Sequence, residues 1–257
     1  MDGVIYHRSQ LLPGAKEYVT WLQKEGKRFV FLTNSSERTP EQLSKKLEGM
    51  GIQVESSHFY TSALATALYL SKVKRDSSAF VIGEPALVQA LEEKGIKIAS
   101  TNVDWVVLGD IGHTKNYDLE KIEKAVDLVL EGALLIGTSH DIKDRVGKGF
   151  VPATGALIKP IEMTTGAIPF FLGKPNPLIM RQALQKLGTR LEDTVIIGDR
   201  LDTDILAGIQ TEISTVLVLS GVSSIHDVKN CGYQPDCVAS GVEDLLLATN
   251  TTFSAET

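Results

Sequence analysis

The stretch that most constrains this chain is Val195-Ile196-Ile197-Gly198-Asp199-Arg200-Leu201-Asp202-Thr203-Asp204. The apolar, β-branched run over 194–197 predicts a buried strand, and Gly198 ends it. Asp199, Asp202 and Asp204 then crowd a short loop before helical rhythm resumes at Ile205-Leu206-Ala207-Gly208. In parallel α/β sheets, ligands bind at the loops that follow the carboxyl ends of strands. Carboxylates gathered there repel one another unless a hard cation sits among them, and Mg2+ takes one or two carboxylates plus water and phosphate. On this stretch alone, a solvated acidic turn with Asp202 or Asp204 as a helix N-cap is an equal alternative.

The rest of the chain alternates strands and helices. Residues 28–32 and 216–219 read as apolar strands covered on both faces. Pro13-Gly14 leads one helix, and Thr39-Pro40-Glu41 starts another with Thr39 as N-cap and Pro40 at the first helical position. Further helices are expected at about 63–73, 176–187 and 242–247, with a small, polar, disordered tail from Thr249. Residues 72–78 are polar and read as a linker, after which the pattern restarts. Strands are expected at 79–82, 96–98, 105–108 and 133–136, and helices at 86–94 and 119–130. This predicts an α/β fold with a mostly parallel sheet, in which residues 77–168 form a domain inserted between 1–76 and 169–257. The opening Met1-Asp2-Gly3-Val4-Ile5-Tyr6 is unusual, because a loop-like Asp-Gly stands where a first apolar strand belongs.

Charge and composition exclude several classes. A net charge of −6 without a basic stripe argues against nucleic acid. No apolar run is long enough to span a membrane, and the start lacks the order of a signal peptide. Cys231 and Cys237 form no CxxC pair, so neither a disulfide framework nor a zinc site is indicated, and a cytoplasmic setting is expected. The histidines show no paired metal-binding spacing.

Four predicted strand ends carry polar groups that suit phosphate chemistry together: Asp2, Thr33-Asn34, Lys174, and Asp199 with Asp204. Phosphate needs hydrogen-bond donors and positive charge, and phosphoryl transfer is mostly positioning and charge stabilisation. Taken singly, Thr33-Asn34 reads better as a turn cap and Lys174 as a turn lysine. Their order and their placement after apolar runs give the set its weight.

The motifs Met1-Asp2-Gly3-Val4-Ile5-Tyr6, Phe31-Leu32-Thr33-Asn34, Leu172-Gly173-Lys174-Pro175 and Ile197-Gly198-Asp199 through Gly208 resemble those of the haloacid dehalogenase (HAD) superfamily of phosphatases. Within it the chain is similar to the NagD/p-nitrophenyl phosphatase-like branch, and Pro152-Ala153-Thr154-Gly155-Ala156-Leu157 resembles the substrate-facing segment of that branch's cap. The resemblance implies a Rossmann-like parallel core with an α/β cap, Mg2+ as cofactor and a small phosphorylated metabolite as substrate. It implies that Asp2 is the general acid/base and, through its carbonyl, a metal ligand. Thr33, with Asn34 beside it, would bind the phosphoryl group, and Lys174 would neutralise nucleophile and phosphate. Asp199 and Asp204 would hold the metal, while Thr154, Gly155 and the loop 140–143 would face the substrate. A homodimer is left open.

The family's nucleophile, which becomes an aspartyl-phosphate, would fall one position before Met1. Three explanations stay open: a natural start further upstream with a first core strand truncated here, a crippled phosphatase, or a non-catalytic phosphate-binding or regulatory protein. The first is favoured because every other part is intact. A flavodoxin-like or response-regulator reading also predicts acidic loops, but neither the insertion nor Lys174.

Overall fold

The structure, a computed structural model, describes residues 1–112, 117–146 and 149–253. The chain forms two compact units. The first comprises Met1–Leu32, Leu43–Phe59 and Met180–Thr257, and the second Thr33–Gln42 and Tyr60–Ile179.

The first unit carries a parallel three-stranded sheet, in the order Val195–Gly198, Ser214–Val218, Cys237–Ala239. The expected buried strand is therefore an edge strand in this sheet, and Val195 is 48% exposed. Its inner side is still apolar, with Ile197 packing on a core of Val4, Ile5, Phe31, Leu47, Phe59 and Val218. Residues 1–6 form a closed turn: the Met1 carbonyl accepts from the Ile5 N–H at 2.9 Å, and the Gly3 N–H donates to the Tyr6 carbonyl at 2.8 Å. A short antiparallel pair, Tyr6–His7 with Gln10–Leu11, follows. The strand expected over 28–32 is shorter and later, at Phe31–Thr33. Phe29 instead stacks on the His58 ring, 4.2 Å between centroids. The last helix runs on to Phe253, so residues 249–253 continue it where a disordered tail was expected; the remainder of that tail, 254–257, lies outside the described residues.

The second unit is built on a parallel five-stranded sheet. Its order is Phe170–Phe171, Leu134–Gly137, Trp105–Leu108, Ser78–Ile82, Lys97–Ile98. Val106, Val107 and Leu108 of the central strand are wholly buried, as a continuous apolar run predicts. The helix Ser62–Val73 starts at Thr61, whose hydroxyl accepts from the Leu64 N–H at 3.2 Å. Its Ala63, Ala67 and Leu70 pack with Leu87 and Leu91 of the helix Pro85–Glu93. Compactness therefore groups residues 60–76 and 169–179 with the 77–168 segment: the first supplies a helix to its core and the second an edge strand to its sheet. The Thr39 cap forms as expected, its hydroxyl accepting from the Gln42 N–H at 3.3 Å and the Gln42 side chain accepting from the Thr39 N–H at 2.9 Å. An unforeseen hairpin, Lys143–Val146 with Gly149–Pro152, follows the 140–142 loop. Among the described residues no helix is long and apolar enough to cross a membrane.

Candidate active site

The expected site residues divide between the units. Asp2, Asp199 and Asp204 belong to the first, and Thr33, Asn34, Lys174, Thr154 and Gly155 to the second.

In the first unit the strand Val195–Gly198 delivers Asp199, and a π-helical turn, Leu201–Ile205, leads into the helix Leu206–Thr211. The turn folds Asp204 back under the strand end, where its Oδ2 accepts the N–H groups of Asp199 and Arg200, both at 3.2 Å. A Cβ added at Gly198 would lie 2.1 Å from the Cβ of Asp204, so only glycine allows this return. Oδ2 of Asp199 accepts from the Val222 N–H at 2.9 Å. Gly3 and Gly221 crowd the same carboxylate, since Cβ atoms there would sit 2.4 and 2.1 Å from Oδ2 of Asp199. The Ser220 hydroxyl donates to the Gly3 carbonyl at 2.7 Å and ties the opening turn to this loop. Asp199 and Asp204 are each only 6% exposed. Asp202 points elsewhere: its side chain is 68% exposed and pairs with Arg200 through two contacts of 2.8 and 3.0 Å. The Asp2 side chain is 60% exposed and lies 3.3 Å from Nδ1 of His7.

Among the described residues no three His, Cys, Asp or Glu side chains are gathered as a metal-holding group. Mg2+ does not require one, because two carboxylates with water and substrate phosphate suffice. The donor set is all oxygen, and two carboxylates kept out of solvent at one strand end fit a hard cation.

In the second unit Thr33 ends its strand, and its hydroxyl accepts from the Ser35 N–H at 3.2 Å. Asn34 reads the main chain of Lys174 in both directions. Its Oδ1 accepts the Lys174 N–H at 2.7 Å, and its Nδ2 donates to the Lys174 carbonyl and to Oδ2 of Asp141, both at 3.0 Å. Close approach is possible because residue 173 is glycine: a Cβ there would lie 2.7 Å from the Thr138 carbonyl and 2.9 Å from Oδ1 of Asn34. Lys174 is 7% exposed and lies three positions past the end of the strand Phe170–Phe171, after the buried Leu172.

Thr154 is fully buried, and Gly155 is buried beside it. The Thr154 hydroxyl donates to Oδ1 of Asp110 at 2.9 Å, and the Gly155 N–H donates to the Asp141 carbonyl at 2.8 Å. In the 140–143 loop, the exposed His140 lies against the Phe171 ring at 3.9 Å, and partial burial lowers its pKa.

Two residues here were not singled out from the sequence: Ser36 and Asp110. Oδ2 of Asp110 accepts the Ser36 N–H at 2.7 Å, while the Ser36 hydroxyl accepts the Asp110 N–H at 2.8 Å. The Thr138 hydroxyl donates to the Ser36 hydroxyl at 3.2 Å. Burial pushes the Asp110 carboxyl above the usual range, and the Ser36 and Thr154 donors oppose that rise. A signal was present. Gly109-Asp110 follows the apolar run 105–108 as Gly198-Asp199 follows 195–197.

Comparison with known proteins shows what the chain is similar to. The haloacid dehalogenase-like hydrolase family matches residues 1–97, and a second HAD-hydrolase-like family matches residues 171–245. The chain is 38% identical to dihydroxyacetone phosphatase of Corynebacterium glutamicum (strain R), over 95% of this chain and 88% of that protein. It is 40% identical to the ribonucleotide monophosphatase NagD of Escherichia coli (strain K12), over 95% of each chain. The crystal structure of 4-nitrophenylphosphatase from Thermotoga maritima superposes with a TM-score of 0.90 at 34% identity, covering 95% of this chain and 93% of that one.

Proposed function

We propose that this chain, which belongs to the haloacid dehalogenase-like hydrolases and within them to the NagD-like phosphatases, hydrolyses phosphomonoesters of small metabolites with Mg2+. Curated relatives are named dihydroxyacetone phosphatase, ribonucleotide monophosphatase NagD and acid sugar phosphatase, which supports a phosphoric monoester hydrolase. The observation that carries the Mg2+ reading is the burial of Asp199 and Asp204 at the end of one strand.

When bound, Mg2+ would supply positive charge to the phosphate oxygens, held by Asp199, Asp204 and the main-chain carbonyl of Asp2. Thr33 orients the phosphoryl oxygens, and the Lys174 ammonium offsets their charge. Asn34 holds Lys174 in place by its backbone. In the family pattern the nucleophile would be an aspartate carboxylate one position before Met1, attacking phosphorus as the ester bond breaks. Asp2 protonates the leaving alkoxide, and then takes a proton from the water that hydrolyses the aspartyl-phosphate. The exposure of the Asp2 carboxyl suits a group that exchanges protons with solvent. Residues 140–143, Thr154 and Gly155 bear on the leaving group, Thr154 and Gly155 doing so by shaping the loop rather than by open side chains. Free Cys231 and Cys237 accord with a reducing, cytoplasmic location.

The test is hydrolysis of p-nitrophenyl phosphate with and without Mg2+, comparing the chain as given with one extended upstream through a strand and the aspartate. Mg2+-dependent turnover by the extended chain is expected. If neither turns over while both are folded, the catalytic assignment falls and phosphate binding without turnover takes its place.

A further inference from the structure

We infer that Asp110 is a positioning residue that clamps the phosphate-contacting loop after Thr33 to the segment containing Thr154. This deepens the phosphatase reading and rests on it. The inference stands on four hydrogen bonds within one unit. Ser36 and Asp110 exchange two, main chain to side chain in each direction, at 2.7 and 2.8 Å. Thr154 adds a third to the other Asp110 oxygen at 2.9 Å, and Thr138 a fourth to Ser36 at 3.2 Å. Ser36, Thr138 and Thr154 are wholly buried. Such a network has little freedom to shift, because each unmet buried partner carries a desolvation cost.

The residues come from separated places in the chain. Ser36 lies two positions past Asn34, Asp110 two positions past the strand Trp105–Leu108, Thr138 directly after the strand Leu134–Gly137, and Thr154 opens the short helix Thr154–Leu157. Glycine is required beside the clamp: a Cβ at Gly109 would lie 2.7 Å from the Ser36 hydroxyl. Asp110 therefore fixes where the loop carrying Thr33 and Asn34 turns, and relays the position of the 154 segment to it. Asparagine at 110 still accepts from the Ser36 N–H, and its amide donates to the Thr154 hydroxyl, so geometry survives loss of the charge. Alanine keeps neither bond.

The experiment is the dissociation constant of inorganic phosphate, with Mg2+ present, measured by titration calorimetry on the full chain well below each variant's melting temperature. Asp110→Ala is expected to weaken phosphate by about tenfold. Asp110→Asn should stay within about threefold, and Thr154→Val should weaken binding by about threefold to fivefold. The double variant Asp110→Ala/Thr154→Val should bind no more weakly than Asp110→Ala alone, since both cut the same clamp. A residue that serves stability alone would lower the melting temperature and leave the affinity of the folded protein unmoved. Unchanged affinity in folded Asp110→Ala overturns the inference. If that variant does not fold, unchanged affinity in Thr154→Val overturns it. Absence of phosphate binding by the parent chain overturns the phosphate reading itself, and this inference with it.

Discussion

Asn34 holds Lys174 by its main chain, accepting its N–H at 2.7 Å and donating to its carbonyl at 3.0 Å. Asn34→Ala should lower kcat/KM for p-nitrophenyl phosphate in the extended chain by at least about tenfold, because a buried N–H loses its acceptor and the lysine is released. Asn34→Asp should be worse than Asn34→Ala, since it sets a second carboxylate against Asp141, which now accepts from Nδ2. Steady-state kinetics of the two variants check this, and equal activity to the parent would remove Asn34 from the site.

Asp199→Asn keeps an acceptor for the Val222 N–H but halves the buried negative charge that faces a cation. The Mg2+-dependent rate should fall about 100-fold, with the melting temperature close to that of the parent. Asp202→Ala, which removes only the exposed partner of Arg200, should leave the Mg2+ response unchanged. Magnesium titrations of activity separate the two.

Gly221→Ala drives a methyl group to 2.1 Å from Oδ2 of Asp199. Overpacking of this kind typically costs about 1–3 kcal/mol, and the carboxylate must move, so both stability and the Mg2+ response should fall. Gly232→Ala, where nothing lies within 4 Å, should change neither. Denaturant melts and a Mg2+ titration on both variants check the pair.

Thr215 donates to Asp236 through both its N–H and its hydroxyl, each at 2.8 Å, and these bonds hold the Asp236 carboxyl below its usual 3.8. A carboxyl lowered on folding adds stability above its unfolded value, and that stability is lost as pH falls through the folded value. The melting temperatures of the parent and of Asp236→Asn should therefore differ most near neutral pH and converge below about pH 4. Parallel curves down to pH 3 would show that the pair is not linked to folding.

Much of the fold was legible because strands buried on both faces must be apolar throughout. The runs 79–82 and 105–108 were found within a residue of their observed bounds. Residues 28–30 misled because Phe29 is apolar for another reason, a stack on His58. The exposure of Val195 was illegible, since edge position depends on which strands pair and not on the run itself. At the site, Gly198-Asp199 announced itself by charge following an apolar run. The π-helical turn that carries Asp204 back did not, because a one-residue widening leaves no change in periodicity over so short a span. Asp110 escaped because its partner Ser36 lies 74 positions away in the chain.

Asn34 touches only the main chain of residue 174, so its hold is indifferent to the side chain there. Lys174→Met would thus delete the ammonium while the loop that presents it keeps its path. Such a variant isolates the charge from the scaffold: phosphate affinity should fall while the melting temperature stays close to the parent's.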